Sequence, residues 1–315
     1  MSFPHQSRRQ FLNQTAVLGG AALLAARGGH AAEPESGNKL HIACQEYPWA
    51  VFYNRDRRDF GSMVDTALAE VARSGVNGFE PSMYSIQYAE KVGMLLKKHG
   101  LEMRSFYVNS DLCRAADVEK SIPQIVAVAE RAKAAGARIV VTNPSPVRWG
   151  GSEGKDDAQL KVQAAALDRL GGRLRDMGMV LAYHNHDAEL RNAAREFHHM
   201  LLGTDPKNVS FCLDAHWVYR GSGNSQVALF DVVRLYGSRI CELHLRQSIK
   251  GVWTEALCDG DLDYRALAKR LLEMGVKPHL VLEQAPEKGT PKTMDAVESH
   301  RRSCQYAREV FGQFA

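Results

Sequence analysis

The 315-residue sequence lacks any long apolar stretch after its N-terminal run, so no later segment reaches the length of a transmembrane helix. It also has no CxxC pair. The six cysteines, Cys44, Cys113, Cys212, Cys241, Cys258 and Cys304, are widely scattered. Cys212 and Cys241 sit inside apolar, strand-like runs, where buried free thiols are expected even though an oxidising compartment permits a disulfide. No glycine-rich nucleotide fingerprint follows the first strand-like run, and CQEYPWA stands there instead. No acid precedes Glu33, so Arg8, Arg9 and Arg27 are uncompensated; removing these three takes the formal charge from +4 to +1. The basic balance therefore belongs to the N-terminus and gives no reason to expect a nucleic-acid partner.

What the N-terminus does have is an order. SRRQFLNQ (7–14) places Arg8–Arg9 ahead of Phe11 and Leu12, a weakly apolar run covers 16–26, and Gly29-His30-Ala31 supplies small residues. A basic region, an apolar region and a small-residue cleavage site read as a secretory signal, and the arginine pair as a twin-arginine one. The expectation is a signal peptide over 1–31, a linker over 32–39 and one domain over 40–315. The twin-arginine export machinery would carry it, already folded, to the periplasm, with no stable membrane insertion after cleavage. With 24% charged and 45% apolar residues in the chain, the remaining length is ample for one large core.

Five times an amphipathic, helix-like stretch ends in glycine and an apolar run follows at once: Gly75 before VNGFE, Gly100 before LEMRSFYV, Gly136 before ARIVVTN, Gly178 before MVLAYH and Gly275 before VKPHLVLE. Glycine just past a helix end is the usual left-handed cap. Met63, Val64, Ala67, Leu68 and Val71 share one helical face, as do Leu267, Leu271 and Leu272. Eight strand-like runs lie near 40–45, 76–80, 102–108, 138–143, 179–184, 209–213, 239–245 and 279–283. Runs such as IVV, MVLA and LVLE are apolar without alternation, as parallel strands covered on both faces should be. Eight such units in one domain predict a closed (β/α)8 TIM barrel, with a doubly wound open sheet as the competing arrangement. The stretches 149–155 and 221–225 read as loops following strands 4 and 6.

In such a barrel the reactive groups stand at the C-terminal strand ends. Those ends carry Glu80, His184-Asn185-His186, Asp214, His244 with Arg246, and Glu283. Carboxylates crowded on one rim repel unless a cation lies between them, and His, Asp and Glu form a mixed N/O ligand set for a divalent ion. Alternation puts His184 and His186 on one side of the strand and Asn185 on the other; His244 and Arg246 share a side likewise. Competing structural roles exist. Asp214 could cap a helix, although AHWVYR offers no obvious helix start, Glu283 could form a rim salt bridge, and His244 could be a satisfied core histidine. Glu80 reads equally as a substrate contact or a rim ion pair. Trp217, Tyr107 and Trp149 could stack on a sugar ring or simply pack.

The motifs GVNGFEPSMY (75–84), LAYHNHDAEL (181–190), FCLDAHW (211–217), ELHLRQS (242–248) and the segment 259–284 resemble, in order and spacing, the xylose isomerase-like barrel superfamily of sugar phosphate isomerases/epimerases. The resemblance implies a divalent metal held by an acid after strand 5, an Asp after strand 6, a His after strand 7 and a Glu after strand 8. Asp214, His244 and Glu283 carry over directly. Strand 5 offers histidines instead: His186 is taken as the ligand and His184 as the base, with the exchange of those roles open. Arg246-Gln247 stands where relatives often have Lys-Asp. The implied chemistry is proton removal α to a carbonyl, with His184 or Glu283 as base and Glu80, Arg246, Trp217 and Tyr107 as substrate contacts. The expected cofactor is Mn²⁺, Zn²⁺, Co²⁺ or Fe²⁺, ahead of Mg²⁺. Isomerisation or epimerisation of a non-phosphorylated sugar is the first outcome, and elimination from a keto-sugar or 3-keto-glycoside the second. A non-catalytic sugar-binding barrel is the third, and a homo-oligomer is left open.

If the signal reading holds, the exported protein begins at Ala32 by mass spectrometry. Replacing Arg8 and Arg9 together by Lys should then leave full-length precursor in the cytoplasmic fraction.

Overall fold

Each strand begins where the sequence turns from an amphipathic to a continuously apolar pattern. The computed structural model describes residues 40–315, so the expected signal peptide and linker lie outside the described residues. The chain runs β1 (Ile42–Gln45), α1 (Glu46–Arg55), α2 (Val64–Arg73), β2 (Gly78–Glu80), α3 (Ile86–Lys98), β3 (Ser105–Ser110), α4 (Ala115–Ala134) and β4 (Ile139–Pro144). It continues through α5 (Asp157–Asp176), β5 (Val180–His184), α6 (Arg191–Leu202), β6 (Val209–Asp214), α7 (Ala215–Gly221), α8 (Gln226–Tyr236) and β7 (Ile240–Leu245). A hairpin of β8 (Ser248–Ile249) and β9 (Val252–Trp253) follows, then α9 (Tyr264–Glu273), β10 (His279–Leu282) and α10 (Ala296–Phe311).

Eight parallel strands pair in the order β2-β1-β10-β7-β6-β5-β4-β3. The two ends of that series meet. Phe79 N–H donates to Glu102 O (2.9 Å) and Met83 N–H to Tyr107 O (2.7 Å), which draws β2 against β3. The result is the TIM barrel expected from the repeated unit, not an open doubly wound sheet. The third strand begins at Ser105 rather than near 102, because Glu102 makes only an isolated bridge to Gly78. The five glycine stops all adopt positive φ, from 69° to 115°.

The outward strand faces pack with the helices in one apolar core. Inside the barrel, Val141, Ala182 and Cys212 form a small buried cluster, and these modest side chains leave the upper interior to polar groups. Pairing of β6 with β7 shifts register between Phe211↔Ile240 and Cys212↔Glu242, so Cys241 is an extra, bulged residue. A bulge re-aims the residues after it. Here it sets Glu242, His244 and Arg246 pointing inward.

Two local expectations change. The stretch 149–155 is the expected loop between β4 and α5, but β6 is followed directly by the helix α7, and 222–225 joins α7 to α8. Asp214 starts that helix by accepting the Trp217 N–H at 2.8 Å, a cap the sequence reading had discounted. None of the six cysteines is paired. Among the described residues no helix is long and apolar enough to cross a membrane.

Helix α5 lies so close to the segment before β6 that a Cβ on Gly171 would stand 2.1 Å from Asn208 O, whereas at Gly172 the nearest atom is 3.9 Å away. Gly171→Ala is expected to lower stability in urea unfolding by about 1–3 kcal/mol through overpacking. Gly172→Ala should raise it by up to ~1 kcal/mol through helix propensity.

Candidate active site

Four side chains from four strand ends converge at the barrel mouth. His184 ends β5, Asp214 ends β6, His244 lies on β7, and Glu283 follows β10, its N–H bonded to Leu245 O at 2.9 Å. One donor atom from each lies within 4.8 Å of every other, and all four residues are buried. His184 Nε2 stands 3.8 Å from Glu283 Oε2 and 4.0 Å from Asp214 Oδ2, and His244 Nδ1 stands 3.0 Å from Glu283 Oε2. Donors bound ~2.0–2.2 Å from one ion can be at most ~4.4 Å apart, so only small side-chain shifts would be needed for all four to share one ion. Asp214 Oδ2 and both ring nitrogens of His184 are buried without a hydrogen-bond partner. Orphaned buried acceptors call for an explanation, and a divalent ion fits this N/O set. Burial pushes the Asp214 carboxyl up to about 7, against the pull of Arg246.

The backbone under these residues is pinned by side chains. Asn143 Nδ2 donates to His184 O (3.1 Å) and to Glu189 Oε1 (3.2 Å), while Glu189 Oε2 accepts from His186 N–H (2.7 Å). Asn185 points toward β6 and pairs with both backbone groups of Asp214, each at 3.2 Å.

His184 and His186 do share a side of the strand end, with ring centroids 4.8 Å apart, and of the two it is His184 whose ring nitrogen lies among the other three donors, the arrangement that the open exchange of roles allowed. His184 sits in the four-donor cluster. His186, one step further out, lines the open cavity, and its Nδ1 is buried without a partner. Burial and then the His184 ring hold His186 well below the usual histidine range, and burial lowers His184 as well. Both rings are therefore neutral at neutral pH.

Glu80 goes elsewhere. Expected as a substrate contact or rim partner, it is fully buried inside the barrel, where it accepts from Ser105 Oγ at 2.7 Å and stands 3.3 Å from His244 Nε2. Glu242 Oε1 is 3.1 Å from the same nitrogen. Burial, then the neighbouring Glu80 charge, raises the Glu242 carboxyl to about 8. His244 thus spans two groups of carboxylates, with one nitrogen toward the donor cluster and the other toward this interior pair. Such an outer partner fixes ring orientation in metal-binding histidines. The i, i+2 spacing of Glu242 to His244 was the sequence signal for it.

Above the cluster opens a cavity of about 600 Å³ whose inner walls include Glu283, Arg246, His186, Trp217 and Tyr107. Arg246 is buried, with Nη2 2.9 Å from Glu283 Oε2 and with Nε and Nη1 unpartnered. Its guanidinium lies 4.2 Å from the Trp253 ring centroid and 5.2 Å from that of Trp217. Glu283 thus makes the rim salt bridge and joins the donor cluster at once. Trp253 was not anticipated, because it comes from the short hairpin GVW, which carries no strand-end signature. Its Nε1–H donates to His216 Nδ1 (3.4 Å), His216 Nε2 meets Ser248 Oγ (2.9 Å), and that hydroxyl donates to Asp261 Oδ2 (2.7 Å). Gln247, where relatives often carry an acid, spends its amide on backbone groups, donating to Leu262 O (2.9 Å) and Cys258 O (3.2 Å).

The outer cavity wall joins the loop after β4 to the start of α6. Trp149 is 56% exposed there and meets the His186 ring edge-on at 5.7 Å. The cations along this wall all have carboxylate partners: Arg148–Glu153 (2.7 Å), Lys155–Glu196 (2.5 Å), Arg191–Asp187 (3.3 Å) and Arg195–Asp157 (3.1 Å).

A closed barrel with such a cluster at its C-terminal mouth defines a class, and the sequence agrees. The chain belongs to the xylose isomerase-like TIM barrel family, whose sequence profile matches residues 68–304. The inosose dehydratase of Clostridium botulinum (strain Alaska E43 / Type E3) is 24% identical over 306 residues, covering 86% of this chain and 97% of its own. A sugar phosphate isomerase/epimerase from Parabacteroides distasonis superposes with a TM-score of 0.67 at 19% identity, over 90% of this chain and 98% of its own. The 3-keto-D-glucoside 4-epimerase from E. coli gives 0.61 at 16% identity, over 86% and 100%. A xylose isomerase-like TIM barrel protein from Mycobacterium smegmatis, in complex with magnesium, gives 0.62 at 14% identity, over 88% and 97%. At these identities the structures share the fold.

Burial holds four histidines neutral: His41 and His300 fall to about 4, His216 and His279 to about 3. Below the unfolded value of ~6.5 the unfolded chain binds more of these protons than the fold does, so their contribution to stability is complete above that pH and is lost on acidification. Urea midpoints should fall as pH drops from about 7 toward 4. His300→Gln should make the slope shallower, by ~1.4 kcal/mol per pH unit per proton removed.

Proposed function

We propose that the protein is a divalent-metal-dependent enzyme that removes the proton α to the carbonyl of a non-phosphorylated sugar. The observation that carries this reading is the meeting of two imidazoles and two carboxylates, with unpartnered donor atoms, at the floor of a cavity that admits a sugar. His184, Asp214, His244 and Glu283 would hold the ion, with His184 in the place first given to His186. When bound, the ion supplies Lewis acidity toward adjacent substrate oxygens and offsets the negative charge that proton loss creates.

The chain's own groups do the rest. His186, neutral and on the cavity wall, accepts the proton at a ring nitrogen. Arg246 is held between two indole rings with Nε and Nη1 free to donate, which suits it to orient a substrate oxygen in one plane. Trp217, its Nε1–H buried and unpartnered, offers a further donor beside a flat apolar wall. The paired cations of the outer wall leave no cationic cradle there, which supports a substrate without phosphate. The arginine pair and apolar run of the N-terminus support a periplasmic location.

The same proton step serves two outcomes. Isomerisation or epimerisation returns a proton to carbon, whereas elimination expels a β-substituent. A single free imidazole on the cavity wall, rather than a matched pair of bases on opposite faces, favours elimination. The curated relative in Clostridium botulinum is likewise named a dehydratase.

The test is proton exchange in D₂O over a panel of inososes, ketohexoses and 3-keto-glucosides, with product identification. Exchange should vanish with EDTA and return with Mn²⁺ or Co²⁺. Asp214→Asn, which keeps an oxygen for the helix cap, should lose bound metal by elemental analysis. His186→Asn should keep the metal and lose about 10²–10⁴-fold in exchange rate. Protein that never retains a divalent ion, with wild-type exchange indifferent to EDTA, would defeat the reading.

A further inference from the structure

The cavity is larger than one sugar needs. At ~30 Å³ per water, 600 Å³ has room for about twenty waters, whereas a hexose brings roughly a dozen non-hydrogen atoms. Everything assigned to chemistry (Glu283, Arg246, His186, Trp217) lies on the inner wall, and the surplus space lies outward, against the loop between β4 and α5.

That outer wall is built and held. Arg191 Nη1 donates to Gly151 O at 2.6 Å, and Arg148 closes onto Glu153 across the loop. Gly154 packs so tightly against α6 that a Cβ would stand 3.1 Å from Asn192 Nδ2. Asn192, Ala193 and Ala194 run through left-handed backbone, with φ between 52° and 58°. Three consecutive non-glycine residues in that region are strained. From this wall Trp149 projects, more than half exposed, braced edge-on by His186. A large indole face left open on a cavity wall is an affinity element for another flat face. Because each neighbouring cation already has its carboxylate, the wall selects for an uncharged group.

We propose that the outer half of the cavity is a second subsite, in which Trp149 stacks on an uncharged ring linked to the reacting sugar, so that the substrate is a glycoside. The ring is a second sugar or an aryl group; the two share the flat, apolar face that an indole recognises. The proposal rests on the α-proton reading for its reaction but not for its binding, and two measurements keep these apart.

Turnover is measured as solvent-deuterium incorporation into 3-ketoglucose and into the 3-keto derivatives of methyl glucoside, phenyl glucoside and cellobiose. Binding is measured by calorimetry on the three parent glycosides, which lack the keto group. Wild type should favour phenyl glucoside, cellobiose or both over methyl glucoside by about tenfold in kcat/KM and in affinity. Trp149→Ala should bring that ratio to within about twofold, and Trp149→Phe should restore most of it. An advantage confined to phenyl or to cellobiose supports the subsite and names its occupant. Equal handling of methyl and ring glycosides by wild type, or a ratio that survives Trp149→Ala, overturns the proposal. A Trp149-dependent binding preference without any exchange supports the subsite while removing the α-proton reading.

Discussion

Two carboxylates and two imidazoles held out of water within a few ångströms of each other are what the upper barrel is arranged to contain. Removing an ion from water costs several kcal/mol even after relaxation, so a cluster of this kind persists only where each charge finds an opposite one. Arg246 answers Glu283 directly. His244 answers Glu283 with one nitrogen and the Glu80–Glu242 pair with the other. The Asp214 carboxyl, with an orphaned oxygen and a strongly raised pKa, is left unsatisfied by protein alone. A divalent ion would complete it.

The scaffold around the cluster is correspondingly rigid. Asn185 binds Asp214 through both backbone groups, Asn143 and Glu189 hold the backbone of His184 and His186, and Trp253 is fixed through His216, Ser248 and Asp261. Each of these partners is a neutral group, or an acid turned away from the donor cluster, so orientation is supplied without adding repulsion at the centre. The Cys241 bulge serves the same end by geometry. Without that extra residue the inward set on β7 would fall out of phase with Cys212 and Asp214 on β6.

Much of this was legible in the residues. Eight apolar runs, each closed by a glycine-capped helix or a loop, specify a barrel because that pattern buries both faces of every strand. The strand-end rule then located His184, Asp214, His244, Glu283 and Arg246. Four points were less legible. Which of His184 and His186 enters the cluster depends on how far each stands from the barrel axis, and alternation alone does not encode distance. Glu80 looked like a rim residue because it ends its strand, but its side chain turns into the barrel interior, where Ser105 and His244 meet it, and a strand-end position alone does not encode that turn. Asp214 was read as a ligand or a cap, and its two oxygens allow both. Trp253 and Lys155 reach the site from a hairpin and a loop that carry no periodic signal.

The dual use of Asp214 has a mechanical corollary. One carboxylate anchors the first turn of α7, which bears Trp217, and also offers its other oxygen to the cluster, so the aromatic wall is tied to the donor cluster through a single rigid group. Were a divalent ion held there, any shift of that carboxylate would carry the indole with it, whereas Trp149 is mounted on a separate loop. The width of the cleft between the two indoles would then be a property of the ion as much as of the protein.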